Sequence, residues 1–218
     1  MKFDESVILD VQKQVDEATE YEHKHKVNSL LHLLKELLEK RGHTPDLGEL
    51  QDVADFIEIY IQHSPAILLA ILKEADKAGV KEKLVPLLNF AGKYFSIRSD
   101  VIQDGWGLYG LIDDAYLVHH LIQSFSDLYE GQTGKALLLV RTSDANQFVR
   151  TLIGEPDASK LDGIVKEGLN GTDVMNCLRV LVGSNADFGN VPDPTWEDPK
   201  SMSENIKFHM TTIGEPNT

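Results

Sequence analysis

The sequence predicts an all-α fold, a multi-helix array or bundle with a helical C-terminal subdomain. Apolar residues recur at three- and four-residue spacing through most of the 218 positions, which is the period of a helix with one buried face. The short apolar run Ala136 to Val140 finds nothing else in the chain that offers a strand partner, so a sheet has no strands to draw on. Glycine and proline punctuate the periodic segments at Gly42, Pro45, Pro65 and Gly79, where helices stop and start.

The first element is a helix over 5–20, with a thin apolar stripe of Val7, Val11, Val15 and Ala18. The second runs from Val27 to Arg41, with Leu30, Leu31, Leu34, Leu37 and Leu38 on one side and Lys35, Glu36, Glu39 and Lys40 opposite, until Gly42 ends it. A third begins near Pro45, a good first-turn residue, and continues to about His63. Ser64-Pro65 then reads as a fresh start, serine as N-cap and proline at the first helical position, for a helix ending near Gly79. The next covers Val80 to Phe95, and Pro86 inside it implies a kink or a later start. Leu111, Ala115, Val118, Ile122, Phe125 and Tyr129 mark another long helix. Residues 135–141 fit a strand or a helical turn by period, and the want of strand partners favours helix. Thr172 to Val182 is a short apolar helix, and Gly183 to Lys200, rich in Gly, Pro, Asn and Asp, is an exposed loop. Residues 1–130 form the helical core and 131–218 the C-terminal subdomain.

One pattern occurs twice. Ser143-Asp144, Phe148, Thr151 and Ile153-Gly154-Glu155-Pro156 recur in register as Ser203-Glu204, Phe208, Thr211 and Ile213-Gly214-Glu215-Pro216. Each copy reads as a capped helix: serine at the start, an acid against the positive dipole end, glycine closing the last turn and proline after it. Convergence on a well-capped helix and duplication of a docking helix both account for it.

Charge narrows function. Lys and Arg number 21 against 35 Asp and Glu, a net charge of −14, so the long-range field repels phosphate and argues against nucleic acid and anionic membranes. Cys177 is the one cysteine, which removes an intramolecular disulfide framework and fits a reducing compartment. The start Met1-Lys2-Phe3-Asp4-Glu5 shows no signal-peptide pattern, and the most apolar window, Ile67 to Leu72, is too short to span a bilayer. The expectation is a cytoplasmic protein with no membrane span.

The richest text lies at 94–128. Asp100, Ile102, Asp104, Gly110, Asp113 and Asp114 follow an aromatic helix end (Tyr94-Phe95) and open an apolar helix. This pattern resembles the YkvA-like family, a bacterial domain of unknown function also found in some membrane-embedded RING ubiquitin ligases. Gln103 stands where that family has proline, and the second proline near Trp106 is missing. The resemblance implies no activity.

On a helical wheel of about 100° per residue, Asp113, His120 and Asp127 share the polar side, while Asp114 falls inside the apolar arc between Leu111, Leu121 and Phe125. A carboxylate there needs first-turn N–H groups, a cation such as Lys93 or Arg98, or a metal ion. In the structural reading the Asp pair stabilises the helix start, and Asp100 and Asp104 anchor the preceding turn. In the functional reading Asp100, Asp104, Asp113 and Asp114 hold Mg²⁺ or Ca²⁺ through oxygen ligands. His120 lies about 10 Å along the helix from Asp113, too far to share an ion, and reads as a solvated or capping histidine.

Other motifs fail on spacing. Gly131-Gln132-Thr133-Gly134-Lys135 lacks the earlier glycine and following Ser or Thr of a phosphate loop. Cys177 sits among Val174, Leu178 and Leu181 as an inert thiol, His23-Lys24-His25-Lys26 reads as a solvated helix face or hinge, and no catalytic triad, zinc site or dinucleotide fingerprint is present. Trp106 and Trp196 beside turn residues, with Phe208 of the second repeat, are candidate partner contacts. Taken together these residues predict a non-enzymatic acidic adaptor, regulator or immunity-type protein that binds a basic protein and needs no cofactor. The alternative is a metal-dependent enzyme or metal-gated sensor on the four aspartates. A homo-oligomer remains open.

Overall fold

In the computed structural model the described residues are 6–25, 29–40, 42–95, 104–138, 142–184 and 188, with the side chains at 25, 29 and 104–106 outside that description. They form eight α-helices, α1 (Ser6–His25), α2 (Ser29–Lys40), α3 (Leu47–Lys77), α4 (Lys81–Tyr94), α5 (Ile112–Thr133), α6 (Ser143–Ile153), α7 (Asp157–Asn170) and α8 (Thr172–Ser184). A 3-10 helix, Asp104–Leu111, leads directly into α5. The fold is all-α, as the periodicity predicts.

Two long helices organise the core. α3 packs against α1, α2, α4 and α5, and α5 packs against α3, α4, α6, α7 and α8. One hydrophobic cluster runs through both sequence halves, from Ile8 and Leu34 through Ile57 and Val118 to Leu161 and Leu181. The stripe of α2 behaves as predicted, with Leu30, Leu34 and Leu38 buried and Leu31 and Leu37 half-buried. α1 extends past the predicted end to His25, and Ile8 is fully buried beside Val11 and Val15. Val7 faces α4 at Gly92, where a Cβ would lie 2.3 Å from the valine methyl, so glycine permits the close approach of α1 and α4. His23 and Lys24 are exposed at the end of α1, as a solvated face requires.

The predicted break at Ser64-Pro65 is absent. α3 is continuous for 31 residues with Pro65 inside it. Ser64 is buried and caps nothing: its hydroxyl donates back to the Tyr60 carbonyl at 3.5 Å, and His119 Nε2 of α5 donates to the same oxygen at 3.0 Å. Side-chain donors thus serve the turn before the proline, where the backbone ladder is weakest. The true start of α3 is Asp46, one residue after Pro45. Asp46 Oδ1 accepts from the Glu49 N–H (2.9 Å) and Glu49 Oε2 from the Asp46 N–H (3.1 Å), a reciprocal cap worth about 1 kcal/mol. Fusion of the two segments also makes α3 long and apolar enough, by length and composition, to cross a membrane, although 61% of that window is buried inside the fold. Pro86 likewise lies inside α4, which starts five residues ahead of it.

Gly134, at φ 68°, closes α5 in the left-handed conformation. Beyond it residues 134–138 are neither helix nor strand, against the helix favoured for 135–141. Leu137 and Leu138 are buried, and the Phe188 N–H donates to the Leu137 carbonyl at 3.0 Å, so this segment is fixed by tertiary contact. Phe188 is itself buried, and Gly183 and Ser184 end α8, which removes them from the exposed loop expected over 183–200. The first repeat forms α6 with Phe148 buried and Gly154 after its last turn, but Ser143 is inside the helix and no side chain caps it. The second repeat lies outside the described residues. α7, which no sequence signal above assigns, follows α6 directly.

Candidate functional site

Asp113 and Asp114 occupy the first turn of α5, where the positive end of the helix dipole favours carboxylates. Both are buried, at 0% and 1% exposure, and neither is without an interaction partner. The inward placement of Asp114 follows the wheel. The polar-side placement of Asp113 does not hold, because the fold encloses α5 on every side from Ile112 to His119. Asp100, Trp196 and Phe208 lie outside the described residues, as do the side chains of Asp104 and Trp106. Among the described residues no group of three or more His, Cys, Asp and Glu is arranged to hold a metal ion.

Two turns further on, α5 opens onto a cleft shared with α6 and α7. His120 is half-buried there rather than solvated. Its Nε2 lies 3.7 Å from Asp162 Oδ1 of α7, Ser124 Oγ lies 3.4 Å from its Nδ1, and its ring stacks on Tyr116 at 5.4 Å and 24°. Asp162 is the hub. Tyr116 donates its hydroxyl to Oδ1 at 2.6 Å, and Arg150 of α6 donates Nε to Oδ2 at 2.9 Å. Arg150 Nη2 reaches both Asp162 Oδ2 and Glu155 Oε1 at 2.8 Å. Burial, reinforced by the Asp162 carboxylate, pushes the Tyr116 phenol far above its ordinary range, so it stays a donor. Burial also lowers His120, with Arg150 acting the same way and Asp162 and Asp127 opposing, which favours a neutral imidazole at pH 7.

The cleft has two chambers that meet at His120, Ser124 and Asp127. The polar one, about 340 Å³, is walled by Gln123, Asn146, Gln147, Arg150 and Asp162. The other, about 470 Å³, has an apolar lining of Leu128, Val165 and Leu169 with Lys166 and Asn170 at its edge. These volumes fall within the ordinary range for ligand pockets.

Behind the cleft sits a second histidine. His119 is fully buried and stacks on His63 of α3 at 5.1 Å and 5°, with the Tyr60 ring at 4.3 Å. Burial, then the neighbouring His63, pushes His119 down to about 3, against the hydrogen bond to the Tyr60 carbonyl, which works the other way. Cys177 is buried, and burial pushes its thiol up to about 12, in keeping with the inert thiol expected.

Of the cleft residues, the sequence singles out His120 and Asp127 as sharing a helix side. It does not single out Tyr116, Arg150 or Asp162. A signal for α7 was present in the spacing of Ala158, Leu161, Val165 and Leu169. Nothing local marks Asp162 as the meeting point of three helices.

No family model matches the chain, and no similar curated protein or solved structure is found. The resemblance to the YkvA-like family therefore rests on its motif residues at 94–128 alone.

Proposed function

We propose that this protein is a non-enzymatic acidic interaction protein that binds a basic protein surface. The supporting observation is the outer side of α3. From residue 42 to residue 72 the chain has no Lys or Arg, while Asp46, Glu49, Asp52, Asp55 and Glu58 recur every third position. Asp46, Asp52 and Asp55 are exposed and the other two half-buried. Among the described residues the ion-pair partners along this ridge are histidines, His43 to Glu49 at 3.6 Å and His23 to Glu58 at 3.2 Å. A surface of one sign steers a partner of the other sign and loses its grip as salt screens it.

Capture from the source organism at about 0.05 M and about 0.5 M salt tests this. The expected result is a basic protein held at low salt and released at high salt, with the Asp52→Lys, Asp55→Lys double variant losing about tenfold in affinity. A partner that is acidic, or indifferent to salt, overturns the reading.

The burial of two adjacent carboxylates, Asp113 and Asp114, favours a second reading: a divalent-cation enzyme or sensor completed by Asp100 and Asp104. Under it, Mg²⁺ or Ca²⁺ raises the melting temperature of the wild-type chain but not of Asp114→Asn or Asp104→Asn. Equal melting temperatures with and without either ion dispose of it.

A further inference from the structure

We propose that the cleft between α5, α6 and α7 seats an arginine side chain of a basic partner segment, with an apolar neighbour of that arginine resting on Leu128, Val165 and Leu169. This rests on the reading of the chain as an acidic partner and adds a second contact to the α3 ridge.

The lining of the polar chamber carries two carboxylates, Asp127 and Asp162. Its one guanidinium, Arg150, is committed to Asp162 and Glu155. Asp127 is exposed, and among the described residues it accepts only the Gln123 amide, at 2.8 Å, and has no ion-pair partner. With Nε2–H of His120 turned to Asp162, its Nδ1 takes the Ser124 hydroxyl at 3.4 Å, which leaves Ser124 Oγ as a further acceptor. A site of this kind calls for a cation with several donors.

Arginine fits better than lysine for two reasons. Its planar fork can donate to Asp127 while its face lies on the stacked rings of Tyr116 and His120. It is also more weakly hydrated than an ammonium, so entering a half-enclosed chamber costs less.

The adjoining chamber explains the apolar neighbour. Leu128 is 40% exposed at its mouth, and Val165 and Leu169 form its floor. Lys166 and Asn170 on the far edge are donors, suited to the carbonyls of an extended backbone and hostile to a second cation. One arginine per cleft follows.

The test is fluorescence anisotropy with three fluorescein-labelled peptides, in which leucine alternates with arginine, lysine or glutamate. The arginine peptide should bind, the lysine peptide several-fold more weakly, and the glutamate peptide not at all. Asp127→Asn should weaken the arginine peptide about tenfold and Leu128→Ser several-fold, with unchanged melting temperatures. If the α3 reversal abolishes binding and the cleft variants do not, the cleft assignment falls and the acidic-partner reading stands. Equal affinity for the lysine and arginine peptides overturns recognition by the planar fork. If no basic peptide binds wild-type protein, the cleft assignment falls, and the acidic-partner reading is decided by the salt-dependent capture alone.

Discussion

The first half of α5, from Ile112 to His119, is enclosed on every side, whereas the second half, from His120 onward, alternates buried and exposed positions. Each half carries acids and one histidine of the pair His119-His120, so composition does not separate them. Their surroundings do. In the first half His119 is held by the Tyr60 carbonyl and the His63 ring, and Asp113 and Asp114 are sealed in. In the second half His120 and Asp127 face an open cleft. Identical side-chain chemistry serves structure where water is excluded and is left accessible where water is admitted.

That contrast breaks most readily at Asp114. Asp114→Ala removes a buried, partnered carboxylate and should lower the unfolding free energy by up to about 3 kcal/mol in denaturant titration. A cost as small as that of a surface substitution would mean that the first half is not sealed.

Next in size is the acid response of His119. The folded chain keeps it neutral down to about 3, while the unfolded chain takes up a proton below about 6.5. The unfolded state therefore binds more protons in that window, and stability is full above it and falls as pH drops through it. The loss is up to about 1.4 kcal/mol per pH unit. The groups facing His119 from α3 are Tyr60 and His63, and of these His63 adds to the effect. Melting curves of His119→Gln against wild type between pH 7 and 4 isolate it, and parallel curves would show that the histidine is hydrated after all.

Tyr116 stands at the junction of the two halves. Tyr116→Phe deletes the 2.6 Å bond to Asp162 but leaves both arginine contacts, so it should cost about 1 kcal/mol and loosen His120, visible as a shift in the titration of that imidazole by NMR. Smallest of all, Asp127→Ala should change stability by no more than about 0.5 kcal/mol, because its carboxylate is exposed. A large cost there would make Asp127 part of the scaffold and remove it from the cleft's recognition surface.

Legibility followed range. The α2 stripe, the apolar period of α5 and the inward aspect of Asp114 depend on residues within a few turns, and each was readable. The false start at Ser64-Pro65 shows the opposite case: locally it has the chemistry of an N-cap, yet Ser64 is buried inside a continuous helix whose Tyr60 carbonyl takes a bond from His119 of α5, fifty-five positions beyond Ser64. Asp113 was misplaced for a related reason. A wheel assumes one wet side, and α5 has none along its first two turns. The cleft depends on Asp162 meeting Arg150 and Tyr116, a convergence of three helices with no trace in local spacing.

By itself the sequence determined the helical class, most helix positions and an acid-only ridge, because period, capping and charge are properties of neighbouring residues. Tertiary structure alone decided that α3 is continuous, that Asp113 is buried and that His120 lines a cleft. Burial and ion-pair partners are set by segments far apart in the chain, and the same aspartate or histidine serves either purpose according to what packs against it.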